Sequence, residues 1–298
     1  MADTKSGIKK TAAAVSDRAS LNQAIAEGEY YQAGNISRTR MFIYEWLGLM
    51  NDMPRILWRA WMDTKARYKR SILGPYWLSI GTFTFVIGYS ILAGLLFRRP
   101  LAEFLGYIAS GVIGWQLISA CITEGTRVFI SNAHELKSVR LNMLSLPVRQ
   151  VLKGLIGLAH SLPIVLIVVF FTDAINLYTL MVIPGLIIVA CTLVPLCAGL
   201  AVLAARYRDI EQLMMMLIQF LFYMTPILWK VEMLGQGYGK WLAYGNPLFY
   251  LLTVIRQPLL GQAVPLDIWA GALVFMVASI IIGFSIFARF RQRIPFWV

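Results

Sequence analysis

Charged side chains are scarce in this chain. Only 14% of its 298 residues are Asp, Glu, Lys or Arg, against about 25% in ordinary soluble domains. Hydrophobic residues make up 58%, which excludes a disordered chain and argues against a soluble globular domain. Because the apolar residues also fall in long uncharged blocks, the composition predicts an all-α polytopic membrane protein.

Cysteine and histidine are also rare. The three cysteines, Cys121, Cys191 and Cys197, stand in apolar blocks without a CxxC pair, and the only histidines are His134 and His160. These residues provide neither the spacing of a zinc site nor a disulfide framework. We therefore predict that the chain holds no metal and that its cysteines are small packing residues.

Motifs for ATP binding and for catalysis are missing. The sequence has no GxxxxGK[ST] loop, so it does not bind ATP by that route. Within the predicted spans, His160 is the one group that could carry a charge near neutral pH, whereas ion-coupled transporters normally need buried carboxylates. No Ser/His/Asp grouping supports an intramembrane enzyme. We predict no cofactor on this chain.

Six uncharged blocks have the length of a membrane span, since a helix needs about 20 residues to cross the hydrocarbon. They are 76–97, 104–123, 154–172, 174–205, 212–229 and 268–288. A seventh apolar piece, 241–255, is shorter and carries Gly245, Asn246 and Pro247 near its start. This piece predicts a re-entrant or interfacial helix pair between the fifth and sixth spans.

The positive charges predict the orientation of the spans. If there are six spans, 22 of the 27 Lys and Arg residues fall on the side of the N-terminus and five on the other. The positive-inside rule then places both termini in the cytoplasm, although Arg98 and Arg99 run against it. The net charge of +12 lies mostly in loops and tails, so we interpret it as an orientation signal and predict no nucleic-acid partner.

Three segments are distinguished along the chain. Residues 1–40 are polar and are predicted to form a flexible cytoplasmic tail. Residues 41–75 contain an N-terminal amphipathic interface helix, with apolar side chains on one face and arginines on another. This helix is a membrane anchor or a docking surface for a partner protein. Residues 76–298 form the six-span transmembrane domain, in which the cytoplasmic segment 131–153 is a solvated loop or a coupling element.

Aromatic and amide side chains recur within the predicted spans. Two interpretations of these side chains are open. In the first, they pack against lipid and the protein core. In the second, they line a pore in which aromatic rings stack on sugar rings and amides form hydrogen bonds with hydroxyl groups. An aromatic ring presents an apolar face without a fixed charge, which suits a long neutral chain that must slide. The candidate channel residues are Phe83, Phe85, Tyr89, Trp115, Gln116, Gln219 and Tyr223.

Several stretches of sequence share their order and spacing with a known family. They are 63–77 (DTKARYKRSILGPYW), 132–147, 205–210 (ARYRDI), 222–229 (FYMTPILW), and 246–248 (NPL) followed by 256–261 (RQPLLG). Together they resemble the membrane subunit, or permease, of ABC exporters of the type-2 class. The branch they resemble exports polysaccharides such as O-antigen, capsule and teichoic acid.

The resemblance implies a homodimer of six-span subunits around a central channel in a bacterial inner membrane, surrounded by membrane lipids. It also implies two copies of a separate ATPase, which would bind ATP and Mg, and a lipid-linked polysaccharide as the substrate. Three other interpretations stay open. They are a type-2 exporter of a drug or small lipid, a membrane-embedded glycan-modifying enzyme, and a structural scaffold.

The resemblance also implies roles for two groups of residues. Segment 53–70, which forms the interface helix, and segment 131–149 would contact the ATPase. The contacts would be made through Arg59, Asp63, Arg67, His134, Glu135 and Arg140. The broken helices of region 230–262 would form a gate at the periplasmic face. The gate residues would be Pro226, Asn246, Pro247 and Arg256.

Overall fold

The computed structural model describes residues 38–69, 71–74, 76–98, 100–138, 141–171, 176–234 and 238–298, and within these ranges all regular secondary structure is helical. The α-helices are α1 (Arg38–Arg67), α2 (Tyr76–Phe97), α3 (Leu101–Thr126), α4 (Val128–Ser131), α5 (Ala133–Ser138), α6 (Ser145–Phe171), α7 (Val182–Arg206), α8 (Asp209–Met224), α9 (Tyr238–Tyr244), α10 (Pro247–Leu259), α11 (Leu266–Phe290) and α12 (Ile294–Trp297). Short 3-10 turns occur at Leu177–Met181, Val231–Leu234 and Arg291–Arg293. The predicted all-helical class is confirmed for the described residues.

Five helical segments of the described chain are long and apolar enough to cross a membrane, judged by length and composition. They are Tyr76–Phe97, Phe104–Thr126, Ser145–Ile167, Leu177–Arg206 and Leu266–Trp297. The predicted span 212–229 corresponds to α8, which has 16 residues and ends at Met224. It ends there because Pro226 disfavours the helical conformation of the residue before it, and Thr225 is extended, with φ −85° and ψ 135°.

The N-terminal helix α1 begins and ends earlier than the predicted interface segment 41–75. It begins at Arg38, so the last three residues of the predicted tail are helical, while residues 1–37 lie outside the described part of the chain. Its buried face consists of Leu49, Ile56 and Ala60. Leu57 and Trp61 lie about 100° further around the helix, beside this face, and are about half exposed. The helix is therefore docked on the bundle by one apolar face and presents a second apolar face outward.

The central helix of the bundle is α3. Within its apolar stretch 72% of the residues are buried, against 22% in those of α2 and α11. The side chains of α3 form the main core with those of α7 and α10, including Phe104, Ile113, Leu193 and Leu252. The broad apolar faces that α2 and α11 leave exposed are larger than a soluble monomer normally tolerates, which fits helices that face lipid or another subunit.

The segment 131–153, predicted to be a solvated loop or a coupling element, is largely helical. It contains α5, and its last nine residues, 145–153, are the first turns of α6. A turn precedes α6, in which the side-chain oxygen of Asn142 accepts a hydrogen bond from the Leu144 amide at 3.0 Å. Pro147 lies in the first turn of α6, where a missing N–H costs no helical hydrogen bond. The third predicted span, 154–172, therefore belongs to a helix that begins nine residues earlier, at Ser145.

Two short helices, α9 and α10, occupy the segment predicted as a helix pair. The break between them falls at Gly245 and Asn246. The Asn246 side chain caps α10 by accepting a hydrogen bond from the Leu248 amide at 3.0 Å, and Pro247 occupies the first turn. Both residues favour the start of a helix. The Asn246 cap accepts a hydrogen bond from an otherwise unpaired backbone N–H, and the ring of Pro247 fixes φ near its helical value.

Candidate functional site

Charged side chains gather at one end of the bundle, formed by α1, α5 and the first turns of α6, which we call the α1 end. Arg59 of α1 pairs with Glu135 of α5, with 2.5 Å between Nη1 and Oε1. Arg67 pairs with Glu124 of α3 at 3.0 Å, and this hydrogen bond raises the pKa of Arg67. Arg59 and Arg67, which are predicted to contact the ATPase, therefore pair with carboxylates of the same chain. These pairs fix the shape of the surface at this end.

A buried arginine that the sequence analysis did not select lies at the centre of this network. Arg149 of α6 is 8% exposed and binds the predicted coupling residues Asp63 and Glu135 at 3.3 and 3.2 Å. The available signal was a charged side chain in the first turns of a helix that continues as an apolar span. The segment 145–153 is predicted as part of the cytoplasmic connection and not as the start of a span, so Arg149 does not stand out from its neighbours in the sequence.

The other two predicted coupling residues behave differently. His134 is exposed on α5, and its Nδ1 lies 3.3 Å from the hydroxyl oxygen of Ser138, one turn further along. Arg140 lies outside the described residues. The structure thus brings Arg59, Asp63, Arg67 and Glu135 into one network and leaves His134 on the outer surface.

A cavity of about 340 Å³ adjoins the network. Its lining is amphiphilic, because it combines the charged side chains of Arg67, Glu124 and Lys153 with the apolar side chains of Leu78, Leu117 and Leu158. The predicted channel residue Gln116 lies in its wall. There the amide Nε2 donates a hydrogen bond to the hydroxyl of Thr82 at 2.9 Å, so Gln116 connects α3 to α2.

Four of the predicted channel residues belong to one aromatic cluster, centred on a residue that the prediction omitted. The ring of Phe222 lies 6.2 Å from Phe85, 5.9 Å from Trp115 and 5.3 Å from Tyr223. Phe85 in turn contacts Tyr89 at 4.3 Å. Because Phe222 precedes Tyr223 in the same predicted span, its position in the sequence was a usable signal. Phe83 and Gln219 lie outside this cluster, on exposed faces of α2 and α8.

The predicted gate residues meet at the opposite end of the bundle, around Tyr107 of α3. The guanidinium of Arg256 is 4.2 Å above the Tyr107 ring, and Arg256 is only 3% exposed. The Tyr107 hydroxyl is within hydrogen-bond distance, 3.0 Å, of the carbonyl oxygens of both Pro226 and Trp229. Tyr107 therefore ties α10 to the turn after α8.

A second contact connects the same two regions. The Asn246 side chain donates a hydrogen bond to the Thr225 hydroxyl at 2.7 Å, while Pro247 follows as the first residue of α10. The turn after α8 and the start of α10 are thus held together at two points. Tyr107 and Thr225 are not among the predicted gate residues, although Thr225 directly precedes Pro226, which is one of them.

A buried ion pair fixes α1 to the C-terminal end of α11. The Glu45 Oε2 and Arg291 Nη1 atoms are 2.6 Å apart, and the side chains are 1% and 4% exposed. Burial raises the pKa of Glu45 from an ordinary 4.5 to about 7, although the Arg291 guanidinium acts in the opposite direction. A nearby edge contact between Trp46 and Phe284 adds apolar contact between the same helices. Docking of α1 thus depends on both charge and packing.

Metal ligands are not grouped at either end of the bundle. Among the described residues, no set of three or more His, Cys, Asp or Glu side chains could hold a metal ion. The arrangement of charged residues is instead that of ion pairs between helices.

Long apolar helices with charged side chains at one end are typical of a multi-pass membrane protein. The chain belongs to the ABC-2 type transporter family, which matches residues 55–260. It is a multi-pass membrane protein and a transport subunit, and the family implies an ATPase partner.

Curated relatives are similar over nearly their whole length. The chain is 23% identical over 252 residues to an O-antigen export system permease protein RfbA of Klebsiella pneumoniae, covering 83% of this chain and 95% of that protein. It is 22% identical over 257 residues to a protein of the same name from Myxococcus xanthus, covering 84% of this chain and 95% of the relative.

Proposed function

We propose that this chain is the permease subunit of an ATP-driven exporter that moves a lipid-linked polysaccharide across a bacterial inner membrane. The main support is its similarity to permeases named for O-antigen export over 95% of their length. The aromatic cluster around Phe222 adds chemical support, because ring faces can stack on sugars without holding them by charge.

In this proposal the chain crosses the membrane six times, through α2, α3, α6, α7, α8 and α11. A helix of 16 residues is about 24 Å long, and the turn 225–229 would carry α8 to the periplasmic surface. The pair α9 and α10 would be re-entrant from that surface. Both termini would then be cytoplasmic, and α1 would lie among the cytoplasmic headgroups with Leu57 and Trp61 toward lipid.

Two copies of an ATPase would drive the transport, and they would hold the ATP and Mg. Closure of the ATPase dimer would push on α1 and α5, the helices that carry Arg59, Asp63 and Glu135. Two copies of the permease would enclose the channel as a homodimer. The exposed apolar residues of α8, such as Leu213, Met216 and Phe220, support this arrangement, since such a face needs lipid or a second subunit to cover it.

The first test is purification of the chain from native membranes in mild detergent, followed by reconstitution in proteoliposomes. We expect a stoichiometric partner that bears a GxxxxGK[ST] loop. Its ATP hydrolysis should rise severalfold with a lipid-linked polysaccharide on the side of the ATPase, because the substrate completes the transport cycle. The readouts are mass spectrometry of the purified complex and the rate of phosphate release.

Other outcomes separate the alternatives. Stimulation by hydrophobic drugs but not by the glycolipid would favour export of a drug or small lipid. Chemical change of the glycolipid by the chain without any ATPase would favour a glycan-modifying enzyme. Purification without an ATPase in several detergents would contradict the proposal.

A tyrosine at the edge of the aromatic cluster provides a test of the channel. Tyr223 is 57% exposed in the single chain, so Tyr223→Ala should leave folding intact. A ring contact is worth roughly 0.5–1.5 kcal/mol, so we expect the rate of export to fall about two- to tenfold. Export is measured as polysaccharide that becomes accessible on the periplasmic side.

The matched control is Tyr178→Ala. Tyr178 is 49% exposed and lies on a 3-10 turn outside the cluster. It should leave export within about twofold of wild type. Equal effects of the two substitutions would argue against Tyr223 as a channel residue.

A further inference from the structure

One guanidinium group joins three segments at the α1 end. Arg149 of α6 bonds through Nε to Asp63 of α1 at 3.3 Å. Its Nη1 binds Glu135 of α5 at 3.2 Å, and its Nη2 donates to the side chain of Asn132, between α4 and α5, at 2.5 Å. Each nitrogen therefore has a different partner, and each partner belongs to a different part of the surface.

We propose that Arg149 is a positioning residue that clamps α1 and α5 to the first turns of α6, so that a push on either helix moves all three together. The proposal rests on the proposed function, because the push would come from the ATPase. Arg149 itself is 8% exposed and would act from beneath the contact surface. It would transmit motion to the membrane span that α6 continues into.

Because Arg149 is buried, its ion pairs should be the strongest of the network. A charge removed from water needs partners and hydrogen bonds, and Arg149 has two carboxylates and one amide oxygen. The neighbouring Arg59–Glu135 pair is more exposed, at 53% and 27%, and solvent screens such pairs. The planar fork of arginine can reach three acceptors at once, which the single ammonium of lysine cannot do in the same geometry.

The next residue along α6 extends the clamp to the central helix. Gln150 is 2% exposed, and its amide donates to Glu124 of α3 at 2.9 Å. Glu124 also accepts from Arg67 of α1 at 3.0 Å. Two consecutive buried polar side chains of α6 thus connect to α5, α1 and α3. A displacement of α1 would reach α3 and α6 by the same route.

The test uses the reconstituted permease–ATPase complex with Arg149→Gln and Arg149→Lys. For Arg149→Gln we expect ATP hydrolysis to stay within about twofold of wild type, while polysaccharide exported per ATP falls at least tenfold. Arg149→Lys keeps the charge but loses the fork, so it should show a smaller loss, of about threefold. A residue with only a structural role would lower hydrolysis and export in the same proportion.

The matched control is Arg127→Gln. Arg127 lies near the same end and forms one ion pair with Glu211 at 3.0 Å, with its own side chain 57% exposed. It should leave the ratio of export to hydrolysis unchanged within twofold. If Arg149→Gln does not assemble, Glu135→Gln removes one charge of the clamp at a partly exposed position and should uncouple export severalfold.

Hydrogen–deuterium exchange separates the clamp from the proposed function. In the purified complex, Arg149→Gln should speed exchange at least tenfold in both 53–67 and 133–138, and Arg127→Gln should not. Unchanged exchange and unchanged export per ATP in the Arg149 variants would overturn the clamp. A wild-type complex without ATP-driven export would overturn the proposed function instead, and the exchange rates would still decide whether Arg149 holds α1 and α5.

Discussion

Replacing Gly283 by alanine should lower the free energy of unfolding by about 1–3 kcal/mol, and replacing it by leucine should prevent recovery of folded protein. Gly283 of α11 packs against the backbone of α7, where an added Cβ would overlap the carbonyl oxygen of Pro195. The Cβ of a side chain at Gly199 would lie 3.0 Å from the Gly283 Cα. Backbone atoms cannot rotate away, so the helices would have to separate. Thermal unfolding of the purified chain in detergent measures the loss.

Gly88→Ala is the control for this substitution. A Cβ at Gly88 of α2 meets nothing within 4 Å, and alanine favours a helix over glycine by about 1 kcal/mol. The control should therefore be neutral or stabilising. If both alanine variants unfold at the wild-type temperature, the close approach of α7 and α11 does not contribute to stability.

Replacing Arg291 by methionine should cost about 3–5 kcal/mol of stability at pH 8, because it leaves Glu45 buried without its partner. The two side chains are 4% and 1% exposed and lie 2.6 Å apart. The cost should be smaller at pH 5.5. Burial raises the pKa of Glu45 to about 7, so at acid pH the carboxyl group is protonated and no uncompensated charge remains. Unfolding curves at the two pH values, with protease resistance of 38–67, provide the measurement.

The pH dependence of the wild type has a defined sign. The pKa of Glu45 in the folded state lies above its ordinary value of 4.5, so the folded state binds this proton more tightly. The contribution of Glu45 to stability is complete below about pH 4.5 and is lost as the pH rises through about 7.

Joint replacement is the control for the ion pair. Glu45→Leu combined with Arg291→Met should recover most of the stability, since apolar substitutes often match or exceed a buried pair. It should also remove this part of the pH dependence. A loss below about 1 kcal/mol for Arg291→Met alone at pH 8 would show that the pair contributes little.

Much of the fold was predictable because a bilayer imposes a length on apolar helices. Five of the six predicted spans correspond to helical segments of the required length, and the break between α9 and α10 was visible in Gly245, Asn246 and Pro247. The end of α8 was less visible. Pro226 lies inside an uncharged block. Hydropathy measures only how apolar that block is, so it does not show that a proline ends the helix there.

The candidate site was only partly predictable. Charge selected Arg59, Asp63, Arg67 and Glu135, and of these only Arg59 and Glu135 pair with each other. The i±4 spacing favours pairing of Asp63 with Arg59 and Arg67 within α1, but Asp63 binds Arg149 and Arg67 binds Glu124. Likewise, the candidate aromatic residues come from three predicted spans, and their order in the sequence marks Phe222 as a neighbour of Tyr223 but not as the centre of the cluster. Contacts of this kind join residues far apart in the sequence, 122 positions between Tyr107 and Trp229 and 246 positions between Glu45 and Arg291.

The sequence by itself determined the helical class, the approximate ends of most spans and the resemblance to type-2 ABC permeases. These properties depend on local patterns, namely uncharged length, turn residues and the order of motifs. Only the tertiary structure decided that Arg149 is the shared partner of α1 and α5, that Glu45 and Arg291 form a buried pair, and that Tyr107 supports Arg256. The reason is physical. A buried charge or a ring contact is defined by neighbours that come from distant parts of the chain, and their positions follow from how the helices pack.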